Sequence, residues 1–238
     1  MRRFIDLHIR APEEPDGIQV MLELAARLGF RGVGLSQGET PHRDLKELAA
    51  GMGLDLVSRV DLIPRNTGEL TAALRRLRRR FEIVAVECRS KKIARQAAKD
   101  HRVDILSFPF SPSRRGRIGL DRQEASLASQ ANCVYEINHS DLLYLDPVDR
   151  SRLIGMMRRE VGNARRFDVP IVVSSGARTP LQMRDPRGLA AVLTLMSLDD
   201  EVGLDAVSKN PERIVGTNRG KLDPGFVAPG VRRARGCR

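Results

Sequence analysis

Phe4-Ile5-Asp6-Leu7-His8 sets a carboxylate and an imidazole two residues apart in an alternating apolar run. Residues i and i+2 of a strand face the same side, so Asp6 and His8 are expected to share one face and form a pair able to take a divalent cation. Glu87 and His139 are the further donors that a metal-dependent phosphoesterase would recruit; His42 and His101 complete the histidines. Ser174-Ser175-Gly176-Ala177-Arg178 offers other chemistry. Small hydroxyl residues, a glycine that permits close backbone approach and Arg178 fit a phosphate-binding turn. A tight βα turn without a ligand fits the same residues.

The Asp6-Leu7-His8 pair resembles the first ligand box of the polymerase and histidinol phosphatase family of metallohydrolase barrels. That family sets a second His two positions further on and an Asp-x-His near its last strands. Here Arg10 and Ser174-Ser175-Gly176-Ala177 stand in those places. A guanidinium in a ligand position repels a metal. The expectation is therefore a barrel that holds no metal of its own, with His8 a satisfied polar residue inside it.

Surplus cation points elsewhere. The chain has 238 residues, 41 basic side chains of which six are Lys and 35 Arg, and a formal net charge of +11. Guanidinium groups recognise phosphate in two-point fashion. Drift from Lys to Arg in a GC-rich genome accounts equally well for the Arg/Lys ratio, but not for the net excess of charge. The expected RNA contacts are Arg59, Arg89, Lys91, Arg102, Arg114, Arg117, Arg178, Arg184 and Lys209. Arg114 and Arg117 fall in Phe108-Pro109-Phe110-Ser111-Pro112-Ser113-Arg114-Arg115-Gly116-Arg117, read as a flexible segment whose aromatics either pack inward or stack on bases. Arg75, Arg76, Arg78, Arg79 and Arg80, like Arg158, Arg159, Arg165 and Arg166, lie on helix faces where solvation and phosphate contact are both open.

The elements that must position these groups alternate. Candidate strands are Phe4–Ile9, Gly32–Ser36, Leu54–Leu62, Ile83–Glu87, Val103–Ser107, Cys133–Ile137, Ile171–Ser175 and, on a weaker pattern, Leu204–Ser208. Helical periodicity fills Gly17–Leu28, Arg43–Ala50, Thr67–Arg80, Lys91–Asp100, Arg122–Ala131, Pro147–Phe167 and Pro186–Met196. Asp185 is the expected N-cap before Pro186. Roughly eight strands in one chain of this length fit a single TIM-barrel-like (β/α) domain, α/β in class. The barrel is expected over 1–217, with a mobile basic tail over 218–238.

No apolar run approaches the ~18–20 residues of a membrane span. Met1-Arg2-Arg3-Phe4 leads into a strand without a signal-like apolar region, so secretion is not expected. Cys88, Cys133 and Cys237 are odd in number and widely spaced, which suggests reduced thiols in a cytoplasm.

Taken in order, Phe4-Ile5-Asp6-Leu7-His8, Arg102-Val103-Asp104-Ile105-Leu106-Ser107, Tyr135-Glu136-Ile137-Asn138 and Ser174-Ser175-Gly176-Ala177-Arg178 resemble the ribonuclease P protein component 3 family. Its members are archaeal relatives of a eukaryotic nuclear ribonuclease P subunit. The resemblance runs from the first strand to about Pro211. It implies a metallohydrolase-like barrel that serves as a non-catalytic subunit of an endoribonuclease. Its RNA would carry the chemistry and the Mg2+. The implied partners are ribonuclease P RNA and protein component 2, with precursor tRNA met indirectly. The rival readings are a metal-dependent phosphoesterase using Asp6, His8, Glu87 and His139, and a barrel enzyme with a phosphate site at Ser174–Arg178.

Overall fold

The computed structural model describes residues 2–11, 17–36, 38, 44–228 and 231–232. Seven parallel strands pair in chain order: β1 (Ile5–Arg10), β2 (Gly32–Ser36), β3 (Asp55–Leu62), β4 (Ile83–Glu87), β5 (Ile105–Ser107), β6 (Val134–Asn138) and β7 (Ile171–Ser174). Parallel neighbours need a crossover. Helices α1 (Gly17–Arg27), α2 (Asp44–Gly51), α3 (Thr67–Leu77), α4 (Lys91–Ala98), α5 (Pro112–Ile118), α6 (Arg122–Ala131), α7 (Ser140–Leu143) and α8 (Pro147–Arg166) supply it. Val84 and Val86 join the large apolar cluster under the helices. Ile83 and Ala85, their alternating neighbours, join a smaller one with Ile5, Leu7, Val57, Ile105, Val134 and Val172 inside the ring.

Closure is uneven. Past β7, Gly176 N donates to His8 O at 2.8 Å and Arg10 N to Ala177 O at 2.8 Å, so the upper half of β1 meets the chain leaving β7. At the lower end the expected eighth strand, Leu204–Ser208, does not form. Those residues end α10 (Asp200–Ala206) and turn into α11 (Lys209–Leu222). Val207 O accepts from Ile5 N at 2.9 Å and Asn210 Nδ2 donates to Ile171 O at 2.8 Å, filling the wedge between β1 and β7. Ile214 and Val215 of α11 then plug the bottom of the barrel. Among the described residues the barrel thus has seven strands and a helical stopper.

Local signals explain most boundaries. Asp121 and Glu124 make a reciprocal capping box on α6, and Asp146 caps α8 ahead of Pro147. Asp185 caps α9 (Pro186–Ala190) as expected, but the predicted long helix breaks there and continues as a 3-10 segment, Ala191–Met196. The supposed flexible segment Phe108–Arg117 holds α5, started by Pro112 at its first turn. Helix α11 runs through the expected 217/218 boundary, and Asn218 is buried with its Nδ2 on Glu82 O at 2.9 Å. A short hairpin, β8 (Phe226–Ala228) and β9 (Val231–Arg232), follows. His42, Arg43, Arg233, Arg235, Cys237 and Arg238 lie outside the described residues. Among the described residues no helix is long and apolar enough to cross a membrane.

Candidate functional site

Strand β1 is irregular between Asp6 and Ile9, and this bulge sets the chemistry of the interior. It lets Leu7 enter the apolar ring while His8 joins a polar layer above it, so Asp6 and His8 do not act as a pair. Asp6 Oδ1 instead accepts from the backbone N–H groups of His8 (3.2 Å) and Ser175 (3.0 Å). The bulged Leu7 carbonyl approaches β2 so closely that a Cβ on Gly34 would sit 2.2 Å from it. Only glycine fits.

Arg59 of β3 occupies the centre of that layer. Its Nη1 donates to Leu7 O at 2.9 Å, and its two Nη atoms meet the two oxygens of Glu136 at 2.6 Å each. Asp61 Oδ1 accepts from Nε at 3.1 Å and Nη2 at 2.8 Å. Ser174 Oγ completes the Glu136 shell at 2.8 Å. Burial opposes all three charges. The two carboxylates nevertheless hold the guanidinium pKa above its ordinary value, and Arg59 keeps both carboxyls well below theirs. A general base works best with a pKa near the operating pH. Glu136 and Asp61 are far from it.

His8 is buried, as the sequence suggested. Its Nδ1 lies 2.8 Å from Asn138 Oδ1, and Nε2 sits between Arg10 Nε (3.2 Å) and Asp61 Oδ2 (3.3 Å). Burial and Arg59 disfavour its charge; Asp61 and Glu136 outweigh them and raise its pKa. The phosphoesterase set does not converge. Glu87 binds Arg89, with Nε donating to Oε1 at 2.7 Å. Burial and Arg184 lower the pKa of His139. Among the described residues no three His, Cys, Asp or Glu side chains are arranged to hold a metal. The guanidinium of Arg59 takes the electrostatic place of a cation between the carboxylates.

A second buried arginine, Arg115 of α5, meets Glu160 of α8 at 2.7 Å through Nη2 and 3.0 Å through Nε. Tyr135 Oη accepts from Arg115 Nη2 at 2.6 Å and donates to Glu160 at 2.5 Å, while the guanidinium lies over the Phe108 ring at 5.9 Å. This network ties β6 to two helices outside the barrel. Phe108 packs inward, as the first of the two readings has it, and Phe110 is exposed. Cys88 and Cys133 are free, buried thiols whose pKa values burial pushes up.

The expected RNA contacts do not form one surface. Arg59 is wholly buried, so its assignment as an RNA contact is corrected: it has no face to offer a phosphate. Lys91 is spent on Gly119 O, Asp121 and Glu124 at 2.9, 2.9 and 2.7 Å. Arg102 pairs with Asp100 at the lower end of the barrel, where Lys209 also lies beside Asp205 at 3.1 Å. Arg114 and Arg117 are exposed on α5 with no carboxylate at salt-bridge distance among the described residues. Arg89, Arg178 and Arg184 sit beyond β4 and β7 at the upper end; Arg184 Nη1 donates to Leu181 O and Met183 O. Of the arginines after α3's stripe, Arg78 is half-buried and clamps Asp104, Phe81 O and Glu82 O.

The Ser174–Arg178 turn spends its N–H groups internally. Ser175 N goes to Asp6, Gly176 N to His8 O, Ala177 N to Ser175 Oγ (3.1 Å) and Arg178 N to Gln182 Oε1 (2.7 Å). The tight-turn reading stands, and the phosphate-nest reading falls. Sequence reasoning passed over Glu136, Asp61, Arg115 and Glu160. A charged residue flanked by core apolar residues on an interior strand, as Glu136 is by Tyr135 and Ile137, is the signal that it has a buried partner.

Fold and site together define a TIM-barrel-like (β/α) domain of seven parallel strands whose interior is held by an arginine–carboxylate lattice. Solved structures agree on the architecture: ochratoxinase from A. niger superposes with a TM-score of 0.63 at 11% identity over 90% of this chain and 71% of that one. The chain belongs to the family described as RNase P subunit p30, whose model matches residues 3–222. Ribonuclease P protein component 3 of Methanococcoides burtonii is 29% identical over 231 residues, 97% of this chain and 93% of that protein. The component 3 protein of Methanosarcina barkeri is 27% identical over 96% and 95%. A chain in a cryo-EM structure of archaeal ribonuclease P with mature tRNA superposes with a TM-score of 0.82 at 26% identity, covering 96% of both.

Proposed function

We propose that this protein is a non-catalytic subunit of ribonuclease P that binds and stabilises the catalytic RNA for 5′ maturation of precursor tRNA. The observation that carries the reading is the near-complete superposition on a chain of archaeal ribonuclease P with mature tRNA. The interior supports it. Arg59 ties up the interior carboxylates Glu136 and Asp61, while the +11 charge remains available to a polyanion. In this reading the RNA holds the Mg2+ of the reaction, protein component 2 is the pairing partner, precursor tRNA is met through the assembled complex, and the setting is cytoplasmic.

Precursor-tRNA cleavage by the cognate ribonuclease P RNA at limiting Mg2+, with and without this protein and component 2, tests it. A raised rate with the pair, and no cleavage by the proteins without RNA, is the expected result. No effect on RNA catalysis, together with hydrolysis of small phosphate esters by the protein alone, would reverse the assignment.

A further inference from the structure

The upper end of the barrel opens into a cavity of about 620 Å³ at the ends of β1, β4, β5, β6 and β7, within the ~300–1,000 Å³ of small-ligand sites. Three kinds of group line it. Among the described residues Arg10 and Arg178 have no carboxylate at salt-bridge distance, whereas Arg89 is offset by Glu87. Phe110 and Tyr144 reach it as aromatic rings that are 47% and 59% exposed. Asp141 supplies a carboxyl whose pKa burial pushes up to about 6.

Cations alone would suit any polyanion, duplex RNA included. Exposed rings discriminate. A duplex keeps its base faces stacked inside and presents only edges and backbone, whereas an unpaired nucleotide offers a face to an aromatic side chain. A carboxylate accepts from exocyclic amino and ring N–H groups, which complement an unpaired base edge. We propose that this mouth is a docking site for one unstacked nucleotide of RNA, with its base against Phe110 and Tyr144, its donor edge toward Asp141 and its phosphate on Arg10 and Arg178. The site deepens the ribonuclease P subunit reading and rests on it. It also gives the upper face of the barrel a task distinct from that of Arg114 and Arg117 on α5.

The chain has no Trp and two Tyr, so the fluorescence of 2-aminopurine is read free of tryptophan background. The full chain is titrated into a five-nucleotide single-stranded RNA carrying 2-aminopurine, into the same strand as a duplex, and into ribonuclease P RNA. Quenching of the single strand is expected, with weaker binding of the duplex. Phe110→Ala and Tyr144→Ala should each cost the single strand about ten-fold in affinity, on the order of one base stack, and Arg178→Ala should weaken it in a salt-dependent way. Circular dichroism melting of each variant checks that these exposed substitutions leave the fold intact. Equal affinity for the duplex, no quenching at saturation, or wild-type binding by both aromatic variants would overturn the inference. If ribonuclease P RNA still binds while the single strand does not, the mouth site alone falls; if neither binds, the subunit reading falls with it. Loss of component 2 binding with unchanged RNA binding in the aromatic variants would give the mouth to a protein and likewise overturn the proposal.

Discussion

Arg59 and Glu136 face each other inside the barrel as a two-point ion pair, with both N–O distances 2.6 Å and both side chains fully buried. Removing one partner from such a pair leaves the other charge uncompensated, which costs about 3–5 kcal/mol. Arg59→Met should lower unfolding stability by that amount in urea titrations, since Glu136 and Asp61 both lose their counter-charge. Adding Glu136→Met should recover the Glu136 share of the loss, because two apolar residues replace that pair, while Asp61 still lacks its guanidinium. A stability unchanged in Arg59→Met, accompanied by weakened RNA binding, would instead return Arg59 to the RNA-contact set.

Gly34 faces the bulged backbone of Leu7, and the contact there is steric rather than electrostatic. An added Cβ would meet Leu7 O at 2.2 Å and its carbonyl carbon at 2.6 Å. Both are main-chain atoms that cannot swing aside. Gly34→Ala should therefore displace β1, break the 2.9 Å bond from Arg59 to Leu7 O and destabilise by about 3 kcal/mol or more, at the upper end for overpacking. Gly155→Ala on α8 is the matched control. Nothing lies within 4 Å of its added methyl, so the helix should gain about 0.5–1 kcal/mol. Thermal melting of the two variants in parallel checks the contrast.

The sequence makes the barrel legible because each interior strand is a short apolar run between amphipathic helices, and parallel strands buried on both faces read that way. Gly32–Ser36 and Ile83–Glu87 keep their predicted limits. Leu204–Ser208 has a similar apolar content but belongs to a helix end, since a run this short cannot be told from a buried helical turn by periodicity. The interior site is less legible. Alternation put Asp6 and His8 together, and a single bulged residue separated them. Arginine posed the same difficulty: Arg59 and Arg115 carry no local mark that distinguishes them from Arg114 or Arg117, because burial depends on Glu136 and Glu160, partners 77 and 45 residues away.

Helix α11 is pinned under the barrel by Arg219, which gives its attachment an acid limit. Its Nη atoms meet Asp55 at 2.7 and 2.8 Å, and its Nε meets Glu82 at 2.6 Å. Arg219 holds the Asp55 carboxyl below its ordinary range. Glu82 is also low, since Ser58 N–H and Arg219 outweigh its burial. Groups whose pKa is depressed on folding contribute stability that is full above their unfolded values, here about 3.8 and 4.5, and lost as pH falls below them. The urea midpoint followed by circular dichroism should thus decline from about pH 5 downward. Arg219→Gln should lower it at neutral pH and flatten that decline. An equally steep acid limb in the variant would place the titrating groups elsewhere.

Arg114 and Arg117 lie on the exposed side of α5, while Arg115 between them anchors the same helix through Glu160. Exposed and anchored positions thus alternate along seven residues, so the helix presents its free cations on a fixed platform. Each phosphate contact on RNA contributes a slope of about −0.7 to −0.9 in log affinity against log salt, depending on how much of the site is duplex. Replacing Arg114 and Arg117 together with Ala should weaken binding of ribonuclease P RNA and reduce that slope by about 1.4 to 1.8 if each holds one phosphate. Stability should stay near wild type, because neither side chain has a carboxylate at salt-bridge distance among the described residues. Arg115→Ala should do the opposite: it leaves Glu160 buried without its counter-charge, so unfolding comes first and the RNA effect follows from it. Filter binding at several salt concentrations, paired with thermal melts, separates the two. An unchanged slope in the double variant would move the RNA surface away from α5.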